Sequence, residues 1–343
     1  MSRRTKTLVT SAVLVILLGF VAFTLPVPYV ILSPGPTLNT LGTDNSGAQI
    51  IVLNGRQAKA TTGHLNLTTV SEQSQRITSV QALIGWLKDD QVVVPRASIF
   101  PPGQSQQQVD QQNTQDFSQS QDSATAAAAC ELGYPKSFGV SSVDSTLGAA
   151  GQLKSGDKFV SVDGVPVATP EALSAALKTK KAGDVVTVVV DRNGVQQTAK
   201  VKLGPPAAGG TVPRLGVVVT QGCLFPFGVD LGLGNQIGGP SAGLMFALGI
   251  MDKVGTADLT NGKFIAGTGE ISPDGTVGPI GGIALKMIAA RRAGATVFLA
   301  PAGNCSDVKG NIPDGLNVVK VETLHGAVQD LKALQEGQPV PHC

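Results

Sequence analysis

The stretch GPSAGLMFALGI, residues 239–250, decides the fold of the carboxy-terminal part of the chain. Small residues and a proline lead into an apolar run, 244–250, which predicts a buried helix that ends near Gly255. Because proline is favoured at the first helical position, we expect Gly239 to be the N-cap and Ser241 to lie one residue inside the helix. The hydroxyl of Ser241 is then not needed for capping, and Ser241 is a candidate nucleophile.

The surroundings of Ser241 suit a group that develops negative charge. Gly239, Pro240 and Ala242 border the serine, and glycine allows the backbone to approach a ligand closely. The free amides and the dipole of a helix amino terminus favour an anion. We therefore predict that these residues support an oxyanion next to Ser241.

Lys286 is the candidate base for this serine. Its neighbours at helical spacing are apolar or small, namely Ile283, Ala289, Ala290 and Ala293. Arg291 and Arg292 point to another side of the same predicted helix. Burial among apolar groups lowers the pKa of a lysine, so that its neutral amine can accept the serine proton. Periodicity alone leaves a second interpretation open, a surface lysine that extends its amine into water.

The composition excludes several classes of protein. The chain has 343 residues, enough for about two domains. Its formal net charge of +2 provides no basic field for a nucleic-acid backbone, so nucleic-acid binding is not expected. Hydrophobic residues make up 42% of the chain, which is enough for a buried core and argues against disorder. No heptad or Gly-X-Y repeat runs through it, which excludes a coiled coil or a collagen-like rod.

The amino terminus predicts a membrane anchor. Three cations within residues 1–7 precede a stretch without charge that lasts until Asp44. We predict a cytoplasmic tail at 1–7 and a transmembrane anchor at 8–32, with the rest of the chain outside the cytoplasm. A cleaved signal peptide has the same basic start and apolar centre. Bulky residues stand where its small-residue cleavage site would be, which favours the anchor.

The cysteines Cys130, Cys223, Cys305 and Cys343 include no CxxC pair. A zinc site is not expected without paired ligands, and we predict neither a metal nor another cofactor. Outside the cytoplasm, four cysteines can form two disulfides in three ways. We favour Cys305 with Cys343, because a cysteine at the last residue is best used to hold the tail.

The region before the middle of the chain gives mixed signals. The runs 49–53 and 65–70 are typical of strands. Residues 103–129 are rich in Gln, Ser, Asp and Ala, which is typical of a linker, yet 124–132 is a strong helix former. A partly helical connector and a linker both remain open.

A β-rich pattern follows over residues 134–205. The motif LKSGDKFVSVDG at 153–164 precedes an N-cap at Thr169, a predicted helix at 171–177 and two β runs around Asn193-Gly194. This pattern resembles a bacterial PDZ domain, which implies that a peptide binds as an added strand on a sheet edge beside that helix. A generic small β module is the alternative. We expect the peptide-binding edge at Phe138, Gly139, Val140, Ser141 and Ser142.

Four motifs occur in a fixed order towards the carboxy terminus: GPSAG at 239–243, TGEI at 268–271, PIGG-x-x-x-K at 279–286, and AGA-x-x-x-x-x-P-x-x-N at 293–304. This order, over residues 234–334, resembles the proteolytic domain of Lon-type serine proteases. The resemblance implies that Ser241 is the nucleophile, that Lys286 is the general base, and that Thr268 orients the lysine amine. The acidic residue often found three positions before the serine is absent, since Gly238 stands there.

The whole chain is similar to membrane-anchored bacterial proteases that combine a PDZ domain with a Lon-like domain. The similarity extends to PGPT at 34–37 and GHLNLTTV at 63–70. We expect an α/β fold (an α+β Lon-type proteolytic domain) at 206–343, a small β-rich PDZ domain, one N-terminal transmembrane helix, and an extracytoplasmic region with a connector at 33–133. Strands within 45–70 either belong to that region or join the protease sheet, with the PDZ domain inserted.

The expected activity is ATP-independent proteolysis, because the sequence contains no G-x-x-x-x-GK-[ST] phosphate loop. The expected partners are the membrane and protein or peptide substrates. The PDZ domain is expected to capture these substrates or to gate the activity. Nucleotides and nucleic acids are not expected, and a homo-oligomer is left open.

Two rival interpretations of the function remain. One is a PDZ scaffold without activity. The other is an esterase with a G-x-S-x-G nucleophile elbow, whose triad would use His325 and one of Asp274, Asp307 and Asp314.

Overall fold

The structure is a computed structural model that describes residues 3–44, 46–73, 77–192, 194–207, 209–232 and 237–343. Its helices are α1 Arg3–Thr24, α2 Ser79–Trp86, α3 Arg96–Ile99, α4 Gln106–Glu131, α5 Pro170–Lys178, α6 Gly243–Val254, α7 Ile283–Ala293, α8 Cys305–Val308 and α9 Leu324–Gln335. Its strands are β1 Tyr29–Asn39, β2 Ile51–Asn54, β3 His64–Gln73, β4 Val92–Pro95, β5 Lys136–Val143, β6 Lys158–Val162, β7 Val165–Pro166, β8 Val185–Arg192, β9 Val195–Lys202, β10 Val217–Cys223, β11 Gly228–Leu231, β12 Phe264–Gly267, β13 Glu270–Ile271, β14 Val277–Gly278, β15 Val297–Pro301 and β16 Asn317–Val321.

The main sheet combines strands from distant parts of the chain, in the order β16-β15-β12-β3-β1-β4. β3 pairs in parallel with β12, with His64 opposite Phe264, and antiparallel with β1. The strand predicted at 65–70 therefore lies in the centre of the sheet that carries the carboxy-terminal motifs. The run predicted at 49–53 corresponds to β2, which pairs with β11 instead.

A second sheet holds the β-rich middle of the chain, in the order β10-β5-β6-β8-β9, with β7 beside β6. α5 packs on it through buried Leu173 and Leu177. The predicted cap is present, because the Thr169 side chain accepts a hydrogen bond from the amide of Ala172. β8 and β9 flank the predicted turn, of which Asn193 lies outside the described residues. β10 lies beyond residue 205, so this sheet extends past the predicted range.

Residues 106–131 form one continuous helix, α4, and the linker interpretation is wrong. Ser105 and Gln108 form a capping box at its start. Towards its end, Ala124 and the run 126–129 are buried in the same core cluster as α6. The composition is misleading because the polar first half faces solvent, whereas the alanine-rich second half is held by packing.

α6 is the central helix of the core, and all of its residues are buried. It begins at Gly243 with Ala242 as N-cap, so the predicted N-cap at Gly239 is wrong and Ser241 lies just before the helix. The Ser241 carbonyl accepts a hydrogen bond from the amide of Gly269 at 2.9 Å. This long-range bond, together with a φ of +82° at Gly239, keeps the serine segment out of the helical ladder.

Two disulfides join parts of the chain that are distant in sequence. Cys130–Cys223 joins the end of α4 to β10, and Cys305–Cys343 joins α8 to the last residue, as predicted. At the other end, α1 is long and apolar enough to cross a membrane, and none of its residues is buried in the protein. A signal sequence has the same length and composition, so α1 is a sign of either one.

A substitution in the middle of α6 tests how tightly this helix is packed. A Cβ atom at Gly249 would lie 2.5 Å from Thr40 Oγ1 and 2.8 Å from Ile51 Cδ1. Although alanine favours helix, we expect Gly249→Ala to lower the free energy of unfolding by about 1–3 kcal/mol, because the core would have to shift. Gly222→Ala is the control, since its Cβ would meet nothing closer than 3.9 Å. Equal stability of the two variants in thermal unfolding would contradict this packing.

Candidate active site

The three candidate catalytic side chains meet beside the start of α6. Lys286 Nζ lies 2.7 Å from Ser241 Oγ and 2.9 Å from Thr268 Oγ1. Thr268 Oγ1 also donates to the Ser241 carbonyl at 2.9 Å. One amine, two hydroxyls and one carbonyl therefore form a closed set of contacts.

These contacts orient the lysine amine. Because the Thr268 proton is used on the Ser241 carbonyl, the oxygen of Thr268 can only accept from Nζ. A neutral amine that donates to Thr268 keeps a lone pair, and Ser241 Oγ lies within reach of it. The arrangement allows a proton to pass from the Ser241 hydroxyl to Lys286.

The amine of Lys286 is removed from water. Only 3% of the residue is exposed, and Thr268 is fully buried beside it. Burial lowers the pKa of Lys286 to about 8, and the carboxylate of Glu270 opposes this shift by its charge. The interpretation of Lys286 as a surface lysine is therefore wrong.

The start of α7, which carries Lys286, is fixed by a buried side-chain amide. Asn304 accepts a hydrogen bond from the amide of Ile280 and donates one to its carbonyl, at 2.9 and 2.8 Å. At Gly282 the φ is +69°, and a Cβ would lie 2.9 Å from Val70 Cγ2. The P-x-x-N motif and the glycine pair were visible in the sequence, and the structure assigns them this positioning role.

α4 forms one wall of the site, a role that the sequence analysis missed. Ser120 Oγ donates to the Pro240 carbonyl at 2.8 Å, and the Asn113 carbonyl accepts from the amide of Gly239 at 2.9 Å. The helix therefore holds the segment that leads into Ser241. Beside it is a cleft of about 390 Å³, lined by Asp116, Gln119, Ser120, Ser123, Pro240, Glu270, Ile271, Ser272, Pro273 and Gly278.

α4 also explains why position 238 is a glycine and not an acidic residue. A Cβ at Gly238 would lie 2.9 Å from the Cβ of Asn113, so α4 takes the space that a larger side chain would need. Among the predicted supporting residues, Gly239 has its amide bound to α4 and Pro240 has no amide proton. The amides of Ser241 and Ala242 are then the candidate donors to an oxyanion.

His325, the candidate of the rival triad, lies on the surface at the start of α9. Its Nδ1 is 2.7 Å from Glu131 Oε1, and its side chain is 66% exposed. Asp274 accepts from the amide of Thr276 in a turn. Nothing brings this histidine to Ser241, whose hydroxyl contacts Lys286 instead. In the described ranges, no group of three His, Cys, Asp or Glu side chains could hold a metal ion.

The predicted peptide-binding edge at Phe138, Gly139, Val140, Ser141 and Ser142 is wrong. β5 pairs with β10 from Lys136 to Val143, and on its other side it bonds to the segment that leads into β6. Both sides of the strand are therefore occupied. The edge strands of this sheet are β10 and β9, and β10 is the one beside α5. The pairing of β10 with β5 joins positions too far apart in the chain for a local pattern to indicate.

A groove of about 360 Å³ runs between this free edge and α5. Its lining combines apolar residues of the strand and the helix with the turn before β10, namely Asp144, Leu147, Pro170, Leu173, Ser174, Leu177, Val212, Pro213, Arg214, Leu215, Gly216, Val217, Val218 and Val219. An extended peptide that pairs with β10 would lie against α5. The predicted helix lies beside the groove, and the predicted strand does not.

Family comparisons match two parts of the chain. Residues 236–333 match the Lon protease (S16) C-terminal proteolytic domain, and residues 113–203 match the PDZ domain. The chain therefore combines a PDZ domain with a Lon-type proteolytic domain of the S16 family. The PDZ match includes the second half of α4, which the structure packs against α6.

Curated relatives resemble the chain over part of its length. Lon protease 2 of Bacillus subtilis (strain 168) is 29% identical over 150 residues, 43% of this chain and 27% of that protein. The Lon protease of Heliobacterium modesticaldum is 38% identical over 105 residues, 30% of this chain and 12% of that protein. The chain spans less than a third of the length of these relatives. The crystal structure of the PDZ domain of the SdrC-like protein Lmo2051 from Listeria monocytogenes is 26% identical, covering 24% of this chain and 87% of that one, with a TM-score of 0.23.

The pKa of Lys286 gives a prediction for the reactivity of Ser241. Only the neutral amine can accept a proton, and its fraction rises through a pKa of about 8, so the rate should increase about fivefold from pH 7 to pH 8. Glu270→Gln removes the charge that raises this pKa and should move the profile to lower pH. The measurement is the rate at which a peptidyl phosphonate labels Ser241 at each pH.

Asp116→Asn is the matched control for Glu270→Gln. Asp116 lines the same cleft, but its charge is not among the causes of the Lys286 shift. We expect its profile to coincide with that of the unchanged protein. If both variants, or neither, move the profile, Glu270 does not act through the lysine amine.

Proposed function

We propose that this chain, in which a PDZ domain is combined with a Lon-type proteolytic domain, is an ATP-independent serine endopeptidase anchored in a membrane by α1. Ser241 is the nucleophile and Lys286 is the general base. The observation that carries the proposal is the 2.7 Å contact between Ser241 Oγ and the buried Nζ of Lys286. Burial of a lysine lowers the stability of a protein, so a buried lysine beside a hydroxyl indicates a catalytic role.

In the proposed reaction, neutral Lys286 takes the proton of Ser241 as Oγ attacks the scissile carbonyl. The oxygen that becomes negative faces the amides of Ser241 and Ala242. The lysine then returns the proton to the leaving amine, and an acyl-enzyme remains on Ser241. A water molecule, deprotonated by the same amine, attacks the ester; the lysine then returns this proton to Ser241 Oγ as the second product leaves. Thr268 keeps the amine directed at the serine throughout.

Two features support the proposed location outside the cytoplasm and the proposed independence from ATP. The cations in the first turns of α1 favour a cytoplasmic amino terminus, and two disulfides fit an oxidising compartment on the other side. The sequence lacks a phosphate loop, and without a motor the enzyme should act on flexible or unfolded segments. The substrates are therefore protein segments outside the cytoplasm.

Labelling of Ser241 by a peptidyl phosphonate, together with cleavage of an unfolded protein, tests the proposal. Ser241→Ala, Lys286→Ala and Lys286→Arg should each abolish both, because a guanidinium does not deprotonate. The double alanine variant should lose little beyond either single one, since the two residues act as a unit. An active Lys286→Arg protein, or cleavage that depends on added ATP, would contradict the mechanism.

The same experiment separates the rival functions. A scaffold without activity would take no label in any variant. A hydrolase of the Ser-His-Asp type would lose its label with His325→Ala, whereas the proposed mechanism predicts that this variant keeps full labelling. The surface position of His325 beside Glu131 supports the latter expectation.

We assign substrate capture to the groove between β10 and α5. Capture raises the effective concentration of a bound chain at the active site to the order of mM. A dilute protein long enough to reach both places would gain from this, and a short peptide would not. The alternative role, an empty PDZ domain that inhibits the protease, would reverse the effect of blocking the groove.

A bulky residue in the groove distinguishes these roles. Ser174 lines the groove, whereas Ala175 is exposed on the same helix and is not part of the lining. Ser174→Trp should weaken cleavage of a long protein substrate at micromolar concentration severalfold and leave cleavage of a short peptide unchanged. Ala175→Trp should leave both rates unchanged. Equal loss on both substrates with Ser174→Trp would contradict capture, and a gain on both would indicate gating.

A further inference from the structure

An exposed apolar face lies on α2. Leu83, Ile84, Trp86 and the C-cap residue Leu87 are 56%, 50%, 78% and 77% exposed, although all four are large and apolar. Single exposed apolar residues are normal on a protein surface, but a contiguous group indicates a surface that something covers. Outside residues 3–29 and 83–87, the exposed large apolar residues of the described chain are valines and one isoleucine.

This face is not the side by which α2 packs on the protein. The packed side is at Gly85, where a Cβ would lie 3.1 Å from Val93 Cγ2 and 3.3 Å from Ile31 Cδ1. Both neighbours belong to the edge of the main sheet, in β4 and β1. The helix is thus held by the sheet on one side and presents leucine, isoleucine and tryptophan on the other.

The start of α2 is attached to the chain just after α1. Directly after that helix, Pro26 forms a bridge with Thr78, and the amide of Val27 donates to the Ile77 carbonyl at 2.8 Å. Thr78 is also the N-cap of α2. The point where the proposed membrane span ends is therefore tied by backbone hydrogen bonds to the point where α2 begins.

We propose that α2 lies in the membrane interface, with its apolar face among the lipids. The occupant of the face is the bilayer surface itself, because α2 begins beside the end of the span and because tryptophan and tyrosine favour the membrane interface. Trp86 and the partly exposed Tyr29 line one shallow cavity of about 270 Å³ beside Leu83. An interfacial helix buries its apolar side by about 5–10 Å. This inference rests on the proposed anchor.

Contact through α2 adds a second attachment to the span. One helix alone would leave the body free to tilt about residues 25–28. With α2 in the interface, the edge of the main sheet at β4 faces the membrane, and the distance of the active site from the lipid surface is fixed. The proposed enzyme would then cut chains at a set height above the membrane.

Trp86 provides a direct test, because it is the only tryptophan of the chain. The full chain is reconstituted in liposomes, and the fluorescence of Trp86 is measured with lipids brominated near the glycerol end or near the terminal methyl group of their acyl chains. We expect emission shifted to shorter wavelength, stronger quenching by the shallow bromine than by the deep one, and little quenching by iodide in water.

Several results would overturn the inference. A Trp86 that iodide quenches and bromine does not, in a chain that floats with the liposomes, overturns the interfacial helix and leaves the anchor intact. A chain that does not float overturns both. Shielding from iodide without bromine quenching, dependent on protein concentration, would assign the face to a second copy of the chain.

Serine substitutions on α2, compared with serine substitutions of exposed valines elsewhere, make the test more specific. Leu83→Ser, Ile84→Ser and Leu87→Ser together keep Trp86 and should abolish the bromine quenching, while the chain still floats through α1 and still cleaves a short peptide. Val185→Ser with Val195→Ser is the matched control, since these residues are 60% and 58% exposed on another sheet. Unchanged quenching in the triple variant would also overturn the inference.

Discussion

The removal of the Lys286 amine from water is the constraint on which the rest of the proteolytic domain depends. An ammonium group is stable in water, and a neutral amine near neutral pH exists only where solvent is excluded. Three elements provide this exclusion here: α7, the end of β12 with Thr268, and the segment before α6. None of them is adjacent to another in the chain, so the fold has to bring all three together. The main sheet contains β12 and carries α7, and α4 holds the segment before α6.

α4 makes direct contacts with both this site and the PDZ domain. At its middle, Ser120 bonds to the segment that carries the serine. Further along, Asp122 Oδ1 accepts from Ser141 of β5 at 2.5 Å, and burial raises the pKa of this aspartate. Its last turn is joined to β10 by the disulfide of Cys130. β10, which borders the groove beside α5, and Pro240, the residue before Ser241, are therefore attached to the same helix.

The sequence was informative where a signal is local or where a spacing is fixed. Ser241, Thr268 and Lys286 stand in ordered motifs, and the cap at Thr169 is a short-range pattern; the structure brings these three side chains together and forms this cap. The errors concern long-range contacts. The start of α6 is set by Gly269, the role of α4 by alanines that pack on α6, and the free edge of the PDZ sheet by a strand beyond the predicted domain. These contacts join residues far apart in the chain, so a local sequence pattern does not indicate them.

The pairing of β3 with β12 limits the order in which the parts of this protein can fold. His64 and Phe264 lie opposite each other although 200 residues separate them, and the whole PDZ domain is contained in the loop they close. Closing so long a loop is slow compared with folding of the β-rich module inside it. While the chain is being synthesised, Ser241 emerges before Lys286 and long after β3, so an unfinished chain has the proposed nucleophile without the proposed base. By the proposed mechanism, such a chain cannot cut its neighbours or itself until synthesis has reached α7, which only β15 and β16 follow among the described strands.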